Sequence, residues 1–132
     1  MNSILGVGID LVELEKLDLS LRRHGQRLID RICRPGEVNP ARQGKAMLQH
    51  VGGLFAAKEA VLKALGTGWG QGLGFRQVEV VGGDSGPPRV RLHDRAAKRA
   101  RSMGISVIHL SISHERHYAM AIAIAEGDRG DG

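Results

Sequence analysis

Apolar positions recur in two rhythms along this chain, and the rhythm separates strands from helices. From Ile4 to Val12, Leu5, Val7, Ile9 and Leu11 alternate with Gly6, Gly8 and Asp10, the period of a β-strand. Glu13 to about Ile32 is helix-like and broken by Gly25; Arg34-Pro35-Gly36 is a turn. A longer helix is expected from the Arg42 region to Leu65, with Gly66 as its stop and a glycine-rich loop from Gly66 to Gly74. Val78 to Val81 and Arg89 to Leu92 read as short strands joined by a Gly/Pro-rich turn. Asp94 to Met103 is a short basic helix stopped by Gly104. Val107 to Ser113 and Tyr118 to Ala125 form a hairpin around His114-Glu115-Arg116-His117, and Glu126 to Gly132 reads as a frayed tail. No linker or repeat interrupts this order. The pattern gives one α+β domain over residues 1–125 and a flexible tail over 126–132.

Composition narrows the class. The 132 residues suffice for one core, and 42% hydrophobic content argues for a folded protein. No apolar run approaches the roughly 20 residues of a membrane span, and no basic leader precedes the first strand. The lone cysteine, Cys33, excludes an internal disulfide and a thiolate metal cluster. Together these predict a cytoplasmic protein without a membrane partner. The net charge of +5 favours an acidic partner or a phosphate-rich ligand, or simply keeps the surface soluble. Aromatic content of 3% leaves few stacking platforms, which argues against single-stranded nucleic acid.

Three polar groups stand in apolar company. Asp10 lies within an apolar strand, on the face of Gly6 and Gly8, where two missing side chains leave room for something to approach. A strand-end Asp capping the next helix is the alternative. In the long helix, Val51, Leu54, Phe55, Leu62 and Leu65 make one apolar face and alanines occupy most of the rest. Lys58 projects from that apolar face, while Glu59 and Lys63, spaced i and i+4, lie on its border. An ordinary helix ion pair is the competing explanation for these two. His114 ends a strand whose polar face carries His109, Ser111 and Ser113; it is either placed for a site or incidental to the hairpin. Gly66-Thr67-Gly68 could bring backbone N–H groups to a phosphate, and Arg42, Lys45 and Lys58 could add positive charge there.

Taken in order, Gly8-Ile9-Asp10-Leu11-Val12-Glu13, Phe55-Ala56-Ala57-Lys58-Glu59-Ala60 with Lys63, Gly66, Thr67 and Gly68, and Ser111-Ile112-Ser113-His114 resemble holo-acyl-carrier-protein synthases of the 4′-phosphopantetheinyl transferase superfamily. The resemblance covers nearly the whole chain. It implies a small antiparallel sheet wrapped around a long central helix. It further implies that Asp10 and Glu59 hold a divalent cation, usually magnesium, and that Lys63 contacts the coenzyme A pyrophosphate. Gly66, Gly68 and His114 would lie near the phosphates, and Pro88 would border the nucleotide. The catalytic set would be Asp10, Glu59 and Lys63. A homotrimer is implied, with sites between subunits and Arg42 or Lys45 donated across the boundary. Two positions depart from the family pattern: Leu54 stands where arginine is frequent, and Arg34 where threonine is common.

The implied reaction is attack by a serine hydroxyl of an acidic acyl-carrier protein on the β-phosphorus of coenzyme A. Phosphopantetheine moves to the serine, and adenosine 3′,5′-bisphosphate leaves, a step of fatty-acid biosynthesis. The protein's part in such chemistry is positioning and charge neutralisation. A ribonuclease-H-like nuclease would need further acidic residues where the later strands offer only Glu79, and a sugar-kinase-type fold needs a longer chain. A basic RNA-binding module would explain the charge but not Asp10 and Glu59.

Overall fold

Two small sheets and three shorter α-helices are built on one long helix, in a computed structural model that describes residues 1–66, 73–83 and 86–130. Strand β1 (Ser3–Glu13) leads into helices α1 (Leu14–His24) and α2 (Gln26–Ile32), then α3 (Gly44–Ala64). The hairpin of β2 (Val78–Val81) and β3 (Arg89–Leu92) follows, then α4 (Asp94–Met103), β4 (Ile105–His114) and β5 (Tyr118–Gly127). β1, β5 and β4 form an antiparallel three-stranded sheet in that order, and β2 and β3 form a separate two-stranded one. The strand periodicity therefore resolves into two antiparallel sheets. Gly25 (φ +57°) separates α1 from α2, and Gly104 (φ +82°) ends α4.

Glu126 and Gly127, expected to begin the tail, are instead the last residues of β5. β1 and β4 extend far enough on either side to give them ladder partners: Gly127 pairs with both Ser3 and Ile105. Asp128 then meets the Met1 ammonium at 3.1 Å.

The sheet packs on α3 through its smallest residues. Ala119, Ala121, Ala123 and Ala125 of β5 are buried, as are Ala56, Ala57, Ala60 and Ala64 of α3. Gly6 and Gly8 of β1 complete this inner face: a Cβ on Gly6 would overlap the carbonyl oxygen of Ala64, and one on Gly8 that of Ala60. The room beside Asp10 is thus occupied by the helix backbone itself. The large residues point the other way. Val7, Ile9 and Leu11 are 55%, 55% and 59% exposed, with Met120 and Ile122 beside Leu11 and Ile9 in register.

Candidate functional site

Asp10 reaches the site because β1 runs against the last turns of α3, so its inward face meets Glu59 and Lys63. Lys63 Nζ donates to Asp10 Oδ1 at 3.2 Å and to the main-chain carbonyl of Ile9 at 2.9 Å. Asp10 is mostly covered, while Lys63 is about half-exposed (53%). Glu59 is half-buried; burial, and then the Asp10 charge, push its carboxyl above the usual carboxylate range, with Lys63 opposing. All three residues line one cleft of about 510 Å³, with Glu13, Lys16 and Phe55 among its other walls. Two like-charged carboxylates held together, one covered and one partly desolvated, form a hard-oxygen donor set. Among the described residues no group of three His, Cys, Asp or Glu is placed to hold a metal. Magnesium fits this arrangement, since it is held by one or two carboxylates and keeps water and substrate phosphate as remaining ligands.

The other expected residues lie elsewhere. His114 and Pro88 line a second cleft of about 360 Å³ together with Arg42, His50, Glu37 and Glu79. It borders α3 at Gln49, His50, Gly53 and Leu54, whereas the first cleft borders the helix at Phe55, Glu59 and Lys63. The expected site residues therefore lie in two separate clefts of the chain. Gly66 (φ +69°) sits directly beyond the end of α3; Gly68 and Thr67 lie outside the described residues. Lys45 is exposed in the first turn of α3. Leu54, where the family pattern has arginine, is buried at 5% exposure, so this position offers no charge to a phosphate.

Lys58 corrects the expectation that it adds charge to the site. It is wholly buried and donates to Glu37 Oε1 at 2.8 Å and to the carbonyls of Phe75 and Val78. Glu37 Oε1 also accepts from the Arg34 amide at 2.6 Å, and Oε2 from the Val80 amide at 2.8 Å. Every proton of the ammonium is used, so Lys58 joins the 34–37 turn, α3 and the start of the β2 hairpin. Glu37 escaped notice in the sequence because its partner is 21 residues away. The nearby Cys33 thiol is buried and pushed up to about 11, which removes it as a nucleophile.

A carboxylate pair beside a lysine, at the end of a central helix, can hold a hard cation and set positive charge against a phosphate. The description "4'-phosphopantetheinyl transferase superfamily" belongs to a family profile that matches residues 6–123, and the chain belongs to that family. Within it, the similarity runs to holo-[acyl-carrier-protein] synthases. That of Desulfovibrio desulfuricans is 42% identical over 123 residues, covering 93% of this chain and 98% of the relative. That of Halorhodospira halophila is 45% identical over 121 residues, covering 92% and 96%. A crystal structure of the Bacillus anthracis enzyme in complex with CoA (3′,5′-ADP) superposes with a TM-score of 0.77 at 33% identity, covering 95% of this chain and 98% of that one.

Proposed function

We propose that this chain transfers 4′-phosphopantetheine from coenzyme A to a serine of an acidic apo-acyl-carrier protein, in fatty-acid biosynthesis, with Asp10, Glu59 and Lys63 at the centre of the reaction. The convergence of those three side chains on one cleft carries the reading. The serine oxygen bonds to the β-phosphorus and gives its proton to water, the bridging P–O bond breaks, and adenosine 3′,5′-bisphosphate departs. Asp10 and Glu59 would hold magnesium, which supplies Lewis-acid polarisation of the phosphoryl group when bound. Lys63 places its half-exposed ammonium where negative charge grows on the leaving oxygen. Gly66 and Gly68 would let the backbone approach the phosphates. Pro88 and His114 would border the nucleotide.

Because His114 and Pro88 stand in a different cleft from Asp10, we assign the complete site to a homotrimer in which one subunit's first cleft meets a neighbour's second. The exposed apolar face of β1 and β5 supports this, since contiguous large apolar side chains on a surface mark an interaction site. We place the protein in the cytoplasm, in keeping with a free, buried Cys33 and with no described helix long and apolar enough to cross a membrane.

Mass spectrometry of an acidic apo-carrier protein incubated with this protein, coenzyme A and magnesium tests the reaction. A phosphopantetheine adduct on serine is expected, and none should form when a chelator is present from the start. An unmodified carrier would overturn the transfer, and an adduct indifferent to chelator would remove the metal.

A further inference from the structure

One cation of the basic helix α4 is turned the wrong way for a surface residue. Ala96 and Ala100 are buried and Met103 packs on the core, so these define the inward stripe of α4. Arg99, three residues after Ala96, lies on that same stripe, whereas Arg95, Lys98 and Arg101 are exposed. A guanidinium drawn inward needs an acceptor. Arg99 Nε donates at 2.9 Å to the main-chain carbonyl of Leu65, the C-cap of α3. A second guanidinium nitrogen lies 3.5 Å from the place a Cβ on Gly66 would occupy, so Arg99 covers the open side of that glycine. The same corner holds Lys63, whose carbonyl accepts from the Gly66 amide at 2.9 Å.

The location creates an electrostatic difficulty that Arg99 resolves. The C-terminal end of a helix carries a partial negative charge of about half an electron. A pyrophosphate brought beside Lys63 and Gly66 approaches that negative end, and the Lys63 ammonium is already shared with Asp10. We infer that Arg99 is a positioning residue of the coenzyme A site: it holds the Leu65–Gly66 corner and cancels the negative end of α3 so that an anion can bind there. This rests on the proposed coenzyme A site and extends it to a helix that contributes none of the motif residues.

Calorimetric titration of coenzyme A and of adenosine 3′,5′-bisphosphate, with magnesium, into Arg99→Met, Arg99→Gln and Arg99→Lys variants tests it. Met and Gln should weaken coenzyme A binding about tenfold, the loss of one charge-assisted contact, with the loss in kcat/KM carried by KM. Lys, which keeps the charge at the helix end, should recover most of the affinity. A wild-type Kd in either folded neutral variant, even with a lowered melting midpoint, would reduce Arg99 to a structural cap and overturn the inference. Lys63→Ala tests the underlying site separately, with an expected turnover loss on the order of 10² to 10³. Unchanged turnover there sinks the site; a large loss there, with wild-type Kd in the Arg99 variants, sinks only the role of Arg99.

Discussion

Lys58 and Lys63 lie five positions apart on one helix, roughly 140° around its axis, and the difference in direction decides their work. Lys63 emerges beside Asp10 at a cleft; Lys58 enters the core and is consumed by Glu37 and two carbonyls. Asp10 and Glu59 converge beside Lys63, and burial with the Asp10 charge raises the Glu59 carboxyl, a penalty that a bound cation would relieve. Asp10→Asn and Glu59→Gln should each abolish magnesium-dependent transfer while leaving the melting midpoint near wild type; full activity at limiting magnesium would remove that residue from the metal site. Lys58→Met should act the other way. It strands Glu37 in the core and should cost about 3–5 kcal/mol in denaturant unfolding, as broken buried pairs do. A loss below about 1 kcal/mol would mean that Glu37 finds another partner or a proton.

At the scale of elements, the contact between β1 and α3 is the one that makes the site. Gly6 and Gly8 let the strand backbone lie against the carbonyls of Ala64 and Ala60, and this brings Asp10 within reach of Lys63. Gly8→Ala should therefore push β1 off the helix, destabilising by about 1–3 kcal/mol, the usual cost of overpacking. Its activity should fall further than its stability predicts, because Asp10 moves with the strand. Urea unfolding and kcat, measured on one preparation, check both parts; a variant that is destabilised yet fully active would separate the strand's packing from the placement of Asp10.

At the scale of the whole molecule, two exposed surfaces among the described residues bear on assembly and docking. One is the apolar outer face of β1 and β5; the other is the basic face of α1, where Arg22 and Arg23 are exposed. Val7→Asp should leave the isolated fold intact, since Val7 is 55% exposed, yet dissociate the proposed trimer and lower transfer. Light scattering at assay concentration reads this, and a fully active monomer would remove the shared site. An acidic carrier protein should dock on α1, so Arg22→Glu with Arg23→Glu should weaken carrier affinity and spare coenzyme A binding. Raising salt should have the same effect in the wild type, since the Debye length falls from about 10 Å at 0.1 M to about 3 Å at 1 M. If the double reversal is silent at low salt while Arg95→Glu with Arg101→Glu is not, docking belongs to α4.

The elements and their order follow from the sequence because they depend on neighbours a few positions apart: the alternation from Leu5 to Leu11, the helical stripe from Val51 to Leu65, and the glycines at 25, 66 and 104 that end helices. Asp10, Glu59 and Lys63, which the structure brings to one cleft, stand out in the sequence as candidates for a related reason: a carboxylate among glycines, and a charged pair among alanines, contradict their local surroundings. Tertiary contacts decided the rest. Which face of β1 points inward depends on α3 lying against Gly6 and Gly8, so the large apolar residues that alternation alone would bury are left outside. Glu126 and Gly127 are strand because β1 and β4 extend beside them. Glu37 and Arg99 acquire their roles from partners 21 and 34 residues away. A repeating pattern records which side of an element differs from the other; what that side meets is fixed only when distant segments close upon it.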